Sequence, residues 1–436
     1  MTTININYLN FLKFGFGFIL IGNLARSISK VPSSIFEILI ITLLLIITLI
    51  YISENIKINY DHSTYFYLFL IYLMIHTLFA TIYRPFELDG SFYEIFFYNI
   101  SEFRLSTIGY FLPLVFIPLL KTSLDKFEKY FIIGLKFAIL YTIFEQVSSI
   151  LGLRSFFELF YSNSGVVSSN LIGVKSFGMY RIWGLIGSPQ LLGIFHLISL
   201  IYLLNKKEYL WSSLCIVAIL FSTSKTAYLL LIIYSLIYLI QRNQYLLLIF
   251  ALLVFTSISM SMMYFYQYLI EMNLTEDYPN FIKFTGSIHG YFLLALNYAE
   301  VSAPERFIEG GPLHRFMIYF SANPLELIFG KGITYSIYQD TSSLIIAPYH
   351  YLTSDYYILT FIDQYGIIGL GLLSIVFLFI PGKRIFISNN LIHAVPIILF
   401  LSMFHYPPQI SKLMMIVVSY AIYNIYLKES CKTNAK

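Results

Sequence analysis

The chain consists largely of long apolar runs, and their length constrains its fold more than any other feature. Each run has roughly 17 to 25 residues, the length with which an α-helix crosses about 30 Å of hydrocarbon. Inside a bilayer every backbone N–H and C=O must be hydrogen-bonded, and a helix satisfies these groups within one segment. The alternating pattern of a membrane β-barrel is absent from the sequence. Only 11% of the 436 residues are charged, against about 25% in soluble domains. The sequence therefore predicts an all-α, polytopic integral membrane protein that forms a single transmembrane domain, residues 1–436.

The apolar runs predict about twelve transmembrane helices, separated by three long connectors and several short turns. The long connectors cover residues 84–103, 152–187 and 267–353. The first has the composition of an interfacial amphipathic helix, and the last is a large external loop between the ninth and tenth spans. The predicted spans cover 8–26, 34–53, 64–83, 104–120, 129–151, 188–204, 208–223, 226–241, 245–265, 354–380, 388–405 and 409–427.

Lysine and arginine in the short loops predict which side faces the cytoplasm, because cytoplasmic loops carry an excess of both. The three long connectors then face outward, and they carry arginines that oppose the usual bias. Such an arginine either binds an anion or pairs with local carboxylates or lipid phosphates. The net charge of +4 is small and dispersed, so we expect no nucleic-acid partner. The inner side is marked by Lys57, Lys121, Lys126, Lys129, Lys206, Lys207, Arg242, Lys383, Arg384, Lys428, Lys432 and Lys436.

Two outward segments have the composition of an anion site. Residues 181–190 begin with an arginine and lead into a predicted helix, where Pro189 suits the first turn and Ser188 can cap it. An arginine beside a helix N-terminus can bind an anion. The turn 222–226 holds Lys225 among hydroxyl groups, and a lysine can contact a phosphate as a point charge. An ordinary capped helix and an interfacial lysine are the alternatives.

The large external loop carries a third candidate segment, residues 306–332. It contains Arg306, the pair His314 and Arg315, and the Gly-Lys-Gly sequence 330–332. Glycine permits a positive φ and a close approach of the backbone to a ligand. An arginine can bind a phosphate through two parallel hydrogen bonds. We therefore predict that these cations contribute to an anion site.

The candidate general bases lie at the outer ends of two spans. His350 and Asp355 precede the tenth span, and Asp363 lies about two turns deeper in it. Glu145 lies near the outer end of span 129–151, whose inner third carries Lys136. A carboxylate at membrane depth is costly unless it faces a cavity or a partner, so Glu145 is a candidate site residue.

Metal and cofactor motifs are absent from the sequence. No histidine pair has the spacing of metal ligands, and there is no P-loop, dinucleotide fingerprint or nucleophile elbow. We therefore expect no metal and no cofactor. His76, His196 and His393 lie within spans, where we predict hydrogen bonds across helices. Cys215 lies mid-span and Cys431 in the tail, which does not predict a disulfide.

The order of these segments resembles that of the bacterial O-antigen polymerase and O-antigen ligase superfamily of membrane glycosyltransferases. Members have an arginine before a Gly-x-Pro-Asn-like helix start; this chain has Arg181 and residues 187–190, with Gln for Asn. A Ser-x-Ser-Arg-like turn follows, here with Lys225 in place of the arginine. An arginine then precedes an Asn-Pro and a Gly-x-Gly sequence, here Arg315, 323–324 and 330–332. The pattern closes with polar residues leading into a span that contains Tyr and Gly, here 354–357 and 365–369.

The resemblance implies an enzyme of the bacterial inner membrane that joins oligosaccharide repeat units on the periplasmic face, in O-antigen or capsule-type polysaccharide synthesis. The donor glycan is linked to undecaprenyl pyrophosphate. On this basis Arg181, Arg315, Arg306 and Lys225 bind the pyrophosphate. His314, His350, Asp355 and Glu145 are the candidate catalytic bases. The implied partners are the polyprenyl-linked oligosaccharide, membrane lipid, and in addition a chain-length regulator and a flippase.

Three alternatives stay open at this point. Ligase-like members carry His-Asn at the start of the closing motif, where this chain has Asp355, with His350 five residues earlier; this favours a polymerase over a ligase. A flippase or other transporter would also have about twelve spans, but the chain shows no convincing internal repeat. A non-catalytic membrane protein is the third alternative.

Overall fold

The computed structural model describes most of the predicted apolar runs and part of the connectors. The described residues are 2–29, 33–58, 63–83, 107–119, 121–158, 175–176, 179–272, 274, 324–330, 332, 357–388, 390–404, 411–427 and 431–433. This part of the chain is mostly helical, with thirteen α-helices, several short 3₁₀ and π-helical segments and four strands of two or three residues.

The α-helices are numbered in chain order. They are α1 Thr2–Ser29, α2 Ser33–Asn55, α3 Thr64–Tyr83, α4 Lys121–Ser148, α5 Pro189–Asn205, α6 Tyr209–Phe221, α7 Lys225–Gln241, α8 Tyr245–Glu271, α9 Pro324–Phe329, α10 Tyr357–Ser374, α11 Ile380–Ile387, α12 Ala394–Ser402 and α13 Lys412–Ile422. The 3₁₀ segments are Ile108–Phe116 and Leu391–His393, and the π-helical segments are Ser149–Leu153, Ile375–Phe379 and Tyr423–Leu427. The strands are β1 Ile56–Ile58, β2 Lys175–Ser176, β3 Met179–Tyr180 and β4 Cys431–Thr433.

The α-helices coincide with all of the predicted apolar runs except residues 104–120, where the prediction of a long α-helix is wrong. The described part of this run forms the 3₁₀ helix Ile108–Phe116, with Pro113 inside it. Proline has no backbone N–H to donate and interrupts an α-helix. All side chains of this 3₁₀ helix except Phe111 are buried, so the segment belongs to the core of the bundle.

Among the described residues, two helical stretches are long and apolar enough to cross a membrane, Leu124–Glu158 and Tyr357–Ile387. Shorter apolar helices accompany them, and their outward faces carry large apolar side chains. Leu246 is 87% exposed, Tyr264 77% and Phe79 65%. Large contiguous apolar surfaces are rare on soluble monomers and mark contacts with lipid or protein. The helices therefore indicate membrane association.

Aromatic side chains from three helices pack against one another in the core. Phe131 of α4, Tyr202 of α5 and Tyr420 of α13 have ring centroids 5.4 to 5.7 Å apart. The Tyr202 hydroxyl donates to the Val417 carbonyl oxygen at 3.0 Å, which satisfies the one polar atom that this ring brings inside. The cluster fixes α4 against α5, and these two helices lead to the candidate site.

The polar contacts between helix ends and connectors form two groups. In the first, β1 pairs with β4, Lys206 pairs with Glu128 at 2.6 Å and Gln241 donates to the Asn390 carbonyl oxygen. All these segments were predicted to lie on the inner side. The second group joins segments predicted to lie outside. Its contacts are Glu145 with the backbone of Trp183 and Gly184, Ser224 with Gln190, His76 with Phe329, and Ile358 with Met403.

Candidate functional site

The first two predicted segments meet, because α5 and α7 begin side by side. Gly193, in the first turns of α5, faces the turn that precedes α7. A Cβ atom on this glycine would lie 2.6 Å from the Cβ of Ala227 and 2.7 Å from the Oγ of Ser222. Carbon atoms in contact are normally about 3.5–4.0 Å apart. The Ser224 hydroxyl also donates to the Gln190 carbonyl oxygen at 3.4 Å. The two helix N-termini therefore lie next to each other.

The start of α5 differs in one detail from the prediction. Ser188 is the N-cap residue, with extended backbone, and Pro189 follows in the first turn as expected. The Ser188 side chain makes no capping hydrogen bond. Its hydroxyl lies 3.3 Å from Oε1 of Gln190 and donates to it instead. Since the side chain leaves the first-turn N–H groups uncapped, this helix start retains the donors that favour an anion.

The turn before α7 holds an unusual threonine. Ser224 caps the helix, because its Oγ accepts from the N–H of Ala227 at 3.3 Å. Thr223, just ahead of it, has φ +54°, a left-handed conformation that is rare for a β-branched residue. Thr223 is 3% exposed, and its Oγ1 has no hydrogen-bond partner within the described residues. Lys207 and Asn243 have a similar φ in the turns before α6 and α8, so the conformation belongs to this type of short turn. The buried hydroxyl without a partner among the described residues is what distinguishes Thr223.

The backbone of the segment that carries Arg181 is hydrogen-bonded to Glu145. This carboxylate is fully buried near the end of α4. It accepts hydrogen bonds from the backbone N–H of Trp183 at 3.2 Å and of Gly184 at 2.9 Å. Gly184 has φ +54°, and a Cβ atom there would lie 2.6 Å from the side chain of Leu192, so this turn favours glycine. The buried carboxylate is thus engaged by the loop.

Arg154 also contacts this segment. Its Nη2 donates to the Arg181 carbonyl oxygen at 3.2 Å, and its Nη1 lies 3.8 Å from Oε1 of Glu145. Its guanidinium lies 4.7 Å from the Trp183 ring centroid and 5.1 Å from that of Tyr180. Arg154 is one of the outward arginines, and its partners are local carboxylates and aromatic rings. In the described part of the chain, the Arg181 guanidinium makes no hydrogen bond or ion pair.

The third segment also meets α10. Gly332 donates its N–H to the Gln364 carbonyl oxygen at 3.0 Å, just before α10 is broken at Gly366, which has φ +70°. A Cβ atom on Gly366 would lie 2.2 Å from the carbonyl oxygen of Ile328. His76 of α3 donates from Nε2 to the Phe329 carbonyl oxygen at 2.7 Å. The glycines of both segments thus permit close packing of backbone on backbone, whereas the sequence predicted a close approach of the backbone to a ligand.

Three of the eight predicted site residues lie in the described part of the chain: Glu145, Arg181 and Lys225. The elements that carry these three are adjacent. Lys225 is the first residue of α7 and is partly buried. The other five, Arg306, His314, Arg315, His350 and Asp355, lie outside the described residues, as does the proposed interfacial helix 84–103.

Cross-helix hydrogen bonds of the predicted kind occur beneath this site. His196 of α5 is fully buried, and its Nε2 lies 2.8 Å from Oγ1 of Thr142 on α4. Gln146 lies one turn further along the same face of α4. It is buried, and its amide has no hydrogen-bond partner among the described residues. Ordered water usually pairs with such groups. His393 instead bonds to the nearby Ser388, at 2.9 Å.

The sequence interpretation missed two residues. Arg154 lies in the predicted connector 152–187, and the sequence interpretation gave it no role beyond that of an outward cation. The glycine at 152, at the end of an apolar run, was the available signal of an irregular turn. Thr223 was noted only as a hydroxyl near Lys225, since sequence does not indicate its backbone conformation.

Comparison with protein-family models and with curated protein sequences gives no match for this chain.

Proposed function

We propose that the protein is a polytopic inner-membrane glycosyltransferase that joins polyprenyl-pyrophosphate-linked oligosaccharide units on the outer face. One observation carries the proposal: α5 and α7 begin side by side, with Arg181 ahead of one helix and Lys225 at the start of the other. Both helix N-termini present partial positive charge. Two such termini and two cations favour a ligand with two adjacent negative groups, and a diphosphate has that form.

The membrane part of the proposal is supported by the two groups of polar contacts. Each contact joins segments that the predicted order of twelve spans places on the same side of the membrane. Lys57 of β1 lies opposite Lys432 of β4, for example, and both were assigned to the cytoplasmic side. An arrangement of antiparallel spans with the long connectors outside accounts for both observations.

The proposed reaction is a displacement at the anomeric carbon of the donor glycan. A hydroxyl of the acceptor unit forms the new C–O bond, while the bond between the anomeric carbon and the diphosphate oxygen breaks. The diphosphate leaves with the electron pair, and a base takes the hydroxyl proton. Negative charge grows on the leaving group in the transition state, so fixed cations and N–H groups beside it accelerate the step.

The residue that acts as base lies outside the described part of the chain in this proposal, with His314, His350 and Asp355 as candidates. Glu145 was the fourth candidate. Its carboxylate already accepts two backbone hydrogen bonds and faces Arg154. Both oxygens of the carboxylate are therefore occupied by the backbone of the loop. We therefore assign Glu145 to the support of the loop.

The test is the loss of polysaccharide in single variants. We expect Arg181→Ala and Arg315→Ala each to abolish the long-chain ladder on gels while the protein is still present in membranes. Removal of one oxyanion-binding group commonly lowers kcat by about 10²–10³-fold. Arg242→Ala is the matched control, because this exposed arginine follows α7 on the opposite side. Normal ladders in both test variants would refute the assignment.

Purified protein and lipid-linked repeat units separate the alternatives. Products of doubled and tripled length identify a polymerase, whereas transfer only to lipid A-core identifies a ligase. Movement of the substrate across the membrane without any new glycosidic bond identifies a transporter.

A further inference from the structure

The helix α4 is followed by an irregular turn, which places the buried Arg154 on the same side as Glu145. Glu145 and Arg154 are nine residues apart, and nine residues of regular α-helix turn through two and a half revolutions. Their side chains would then point to opposite sides. The π-helical segment Ser149–Leu153 intervenes, with Gly152 at φ +92°. As a result the Arg154 guanidinium lies 3.8 Å from the Glu145 carboxylate.

Both side chains contact one short segment of the chain, residues 180–184. Glu145 accepts the N–H groups of Trp183 and Gly184. Arg154 donates to the Arg181 carbonyl oxygen and stacks on the rings of Tyr180 and Trp183. Arg154 is 5% exposed and Glu145 is fully buried, so water competes little for either group. A second carboxylate, Glu158, lies 3.4 Å from Nε of Arg154.

We infer that Glu145 and Arg154 form a latch that positions the Arg181 segment, and that neither contacts the substrate. The inference rests on the proposed function in one respect: the latch affects catalysis only if the position of the Arg181 guanidinium matters for the reaction. Arg154 bonds the peptide carbonyl of Arg181 while, in the described part of the chain, the Arg181 guanidinium makes no hydrogen bond or ion pair. The latch therefore fixes the backbone and leaves the cation available for a ligand.

The chain offers a reporter that does not depend on activity. It has two tryptophans, and Trp183 lies within the latched segment, 2% exposed. Trp211→Phe leaves Trp183 as the only tryptophan. In this background we expect Glu145→Gln and Arg154→Gln to move the emission to longer wavelength and to increase quenching by acrylamide. Hydrogen bonds to charged groups are the strong ones, so the ratio of closed to open segment should fall by about tenfold.

Two further variants make the readout specific. Arg154→Lys keeps the charge beside Glu145 but loses the planar stacking and the fork of donors, so we expect an intermediate emission. Arg181→Ala removes no latch contact, since only the backbone carbonyl of Arg181 takes part. We expect its tryptophan emission to be unchanged while polymer synthesis is lost.

The outcomes separate the latch from the proposed function. Unchanged Trp183 emission in both Gln variants overturns the latch, whatever happens to the polysaccharide. An opened segment in those variants together with normal polymer in Arg181→Ala keeps the latch and overturns the role of Arg181.

If the Gln variants do not fold, Gly152→Ala replaces them. A Cβ atom there meets nothing within 4 Å, but φ is +92°, so the turn is strained while both latch side chains stay present. Native emission in folded Gly152→Ala, at an unaltered unfolding temperature, would then reject the latch.

Discussion

The contact between α5 and α7 at Gly193 can be tested by adding a single methyl group. An alanine Cβ at this position would lie 2.6 Å from Ala227 and 2.7 Å from Ser222 and Ser224. Ordinary carbon contacts are about 3.5–4.0 Å, so the helix starts must separate by about 1 Å. Overpacking of this kind costs about 1–3 kcal/mol. A 1 Å misplacement at a reactive site can lower the rate about 10²-fold.

We therefore expect Gly193→Ala to lower the unfolding temperature of the purified protein and to shorten or abolish the polysaccharide ladder. The measurements are thermal unfolding in detergent and gel analysis of the glycan. Gly371→Ala is the matched control, because this helical glycine in α10 has open space where the Cβ would be. Alanine there should leave stability unchanged or raise it by up to about 1 kcal/mol.

Two results would refute different parts of the reasoning. An unaltered unfolding temperature in Gly193→Ala would mean that α5 and α7 do not begin in contact. A lowered unfolding temperature with a normal ladder would keep the packing and reject the site between the two helix starts.

Two other predictions concern the turn before α7 and the sides of the membrane. Thr223→Val keeps the shape of the side chain but removes a buried hydroxyl that has no hydrogen-bond partner among the described residues. We expect stability to be kept or to rise by about 1 kcal/mol while polymer synthesis in membranes falls; full synthesis would exclude the hydroxyl from the site. In a chain whose native cysteines are replaced by serine, Ser188→Cys should react with an impermeant thiol reagent added from outside the cytoplasmic membrane, whereas Lys206→Cys should react only after that membrane is opened. Labelling of both from the same side would invalidate the proposed topology.

The positions of the helices could be predicted from the sequence because hydrocarbon-length apolar runs allow few other structures. α3 begins and ends where its run predicts. The run 104–120 was misjudged because its composition is apolar, whereas Pro113 and the burial of the segment decide its conformation. Hydrophobicity alone does not distinguish a lipid-facing helix from an apolar segment enclosed by other helices.

The candidate site was predictable in its parts and not in its contacts. Arg181 and Lys225 were selected by their neighbours in sequence. The structure places α5, which follows the Arg181 segment, beside α7, which begins at Lys225. The role of Arg154 depends on the irregular turn at Gly152, which changes the side of the helix that the arginine faces. A periodic pattern assumes a regular helix and fails at such a turn.

The pairing of β1 with β4 joins two segments that are far apart in sequence. Residues 56–58 leave the ribosome long before residues 431–433, yet the two strands pair with each other. In a nascent chain, β1 therefore has no partner strand until residues 431–433 have been synthesised. A bulky fusion placed directly after α13 would compete with that late step, whereas one joined beyond residue 433 through a flexible linker would leave the ladder intact.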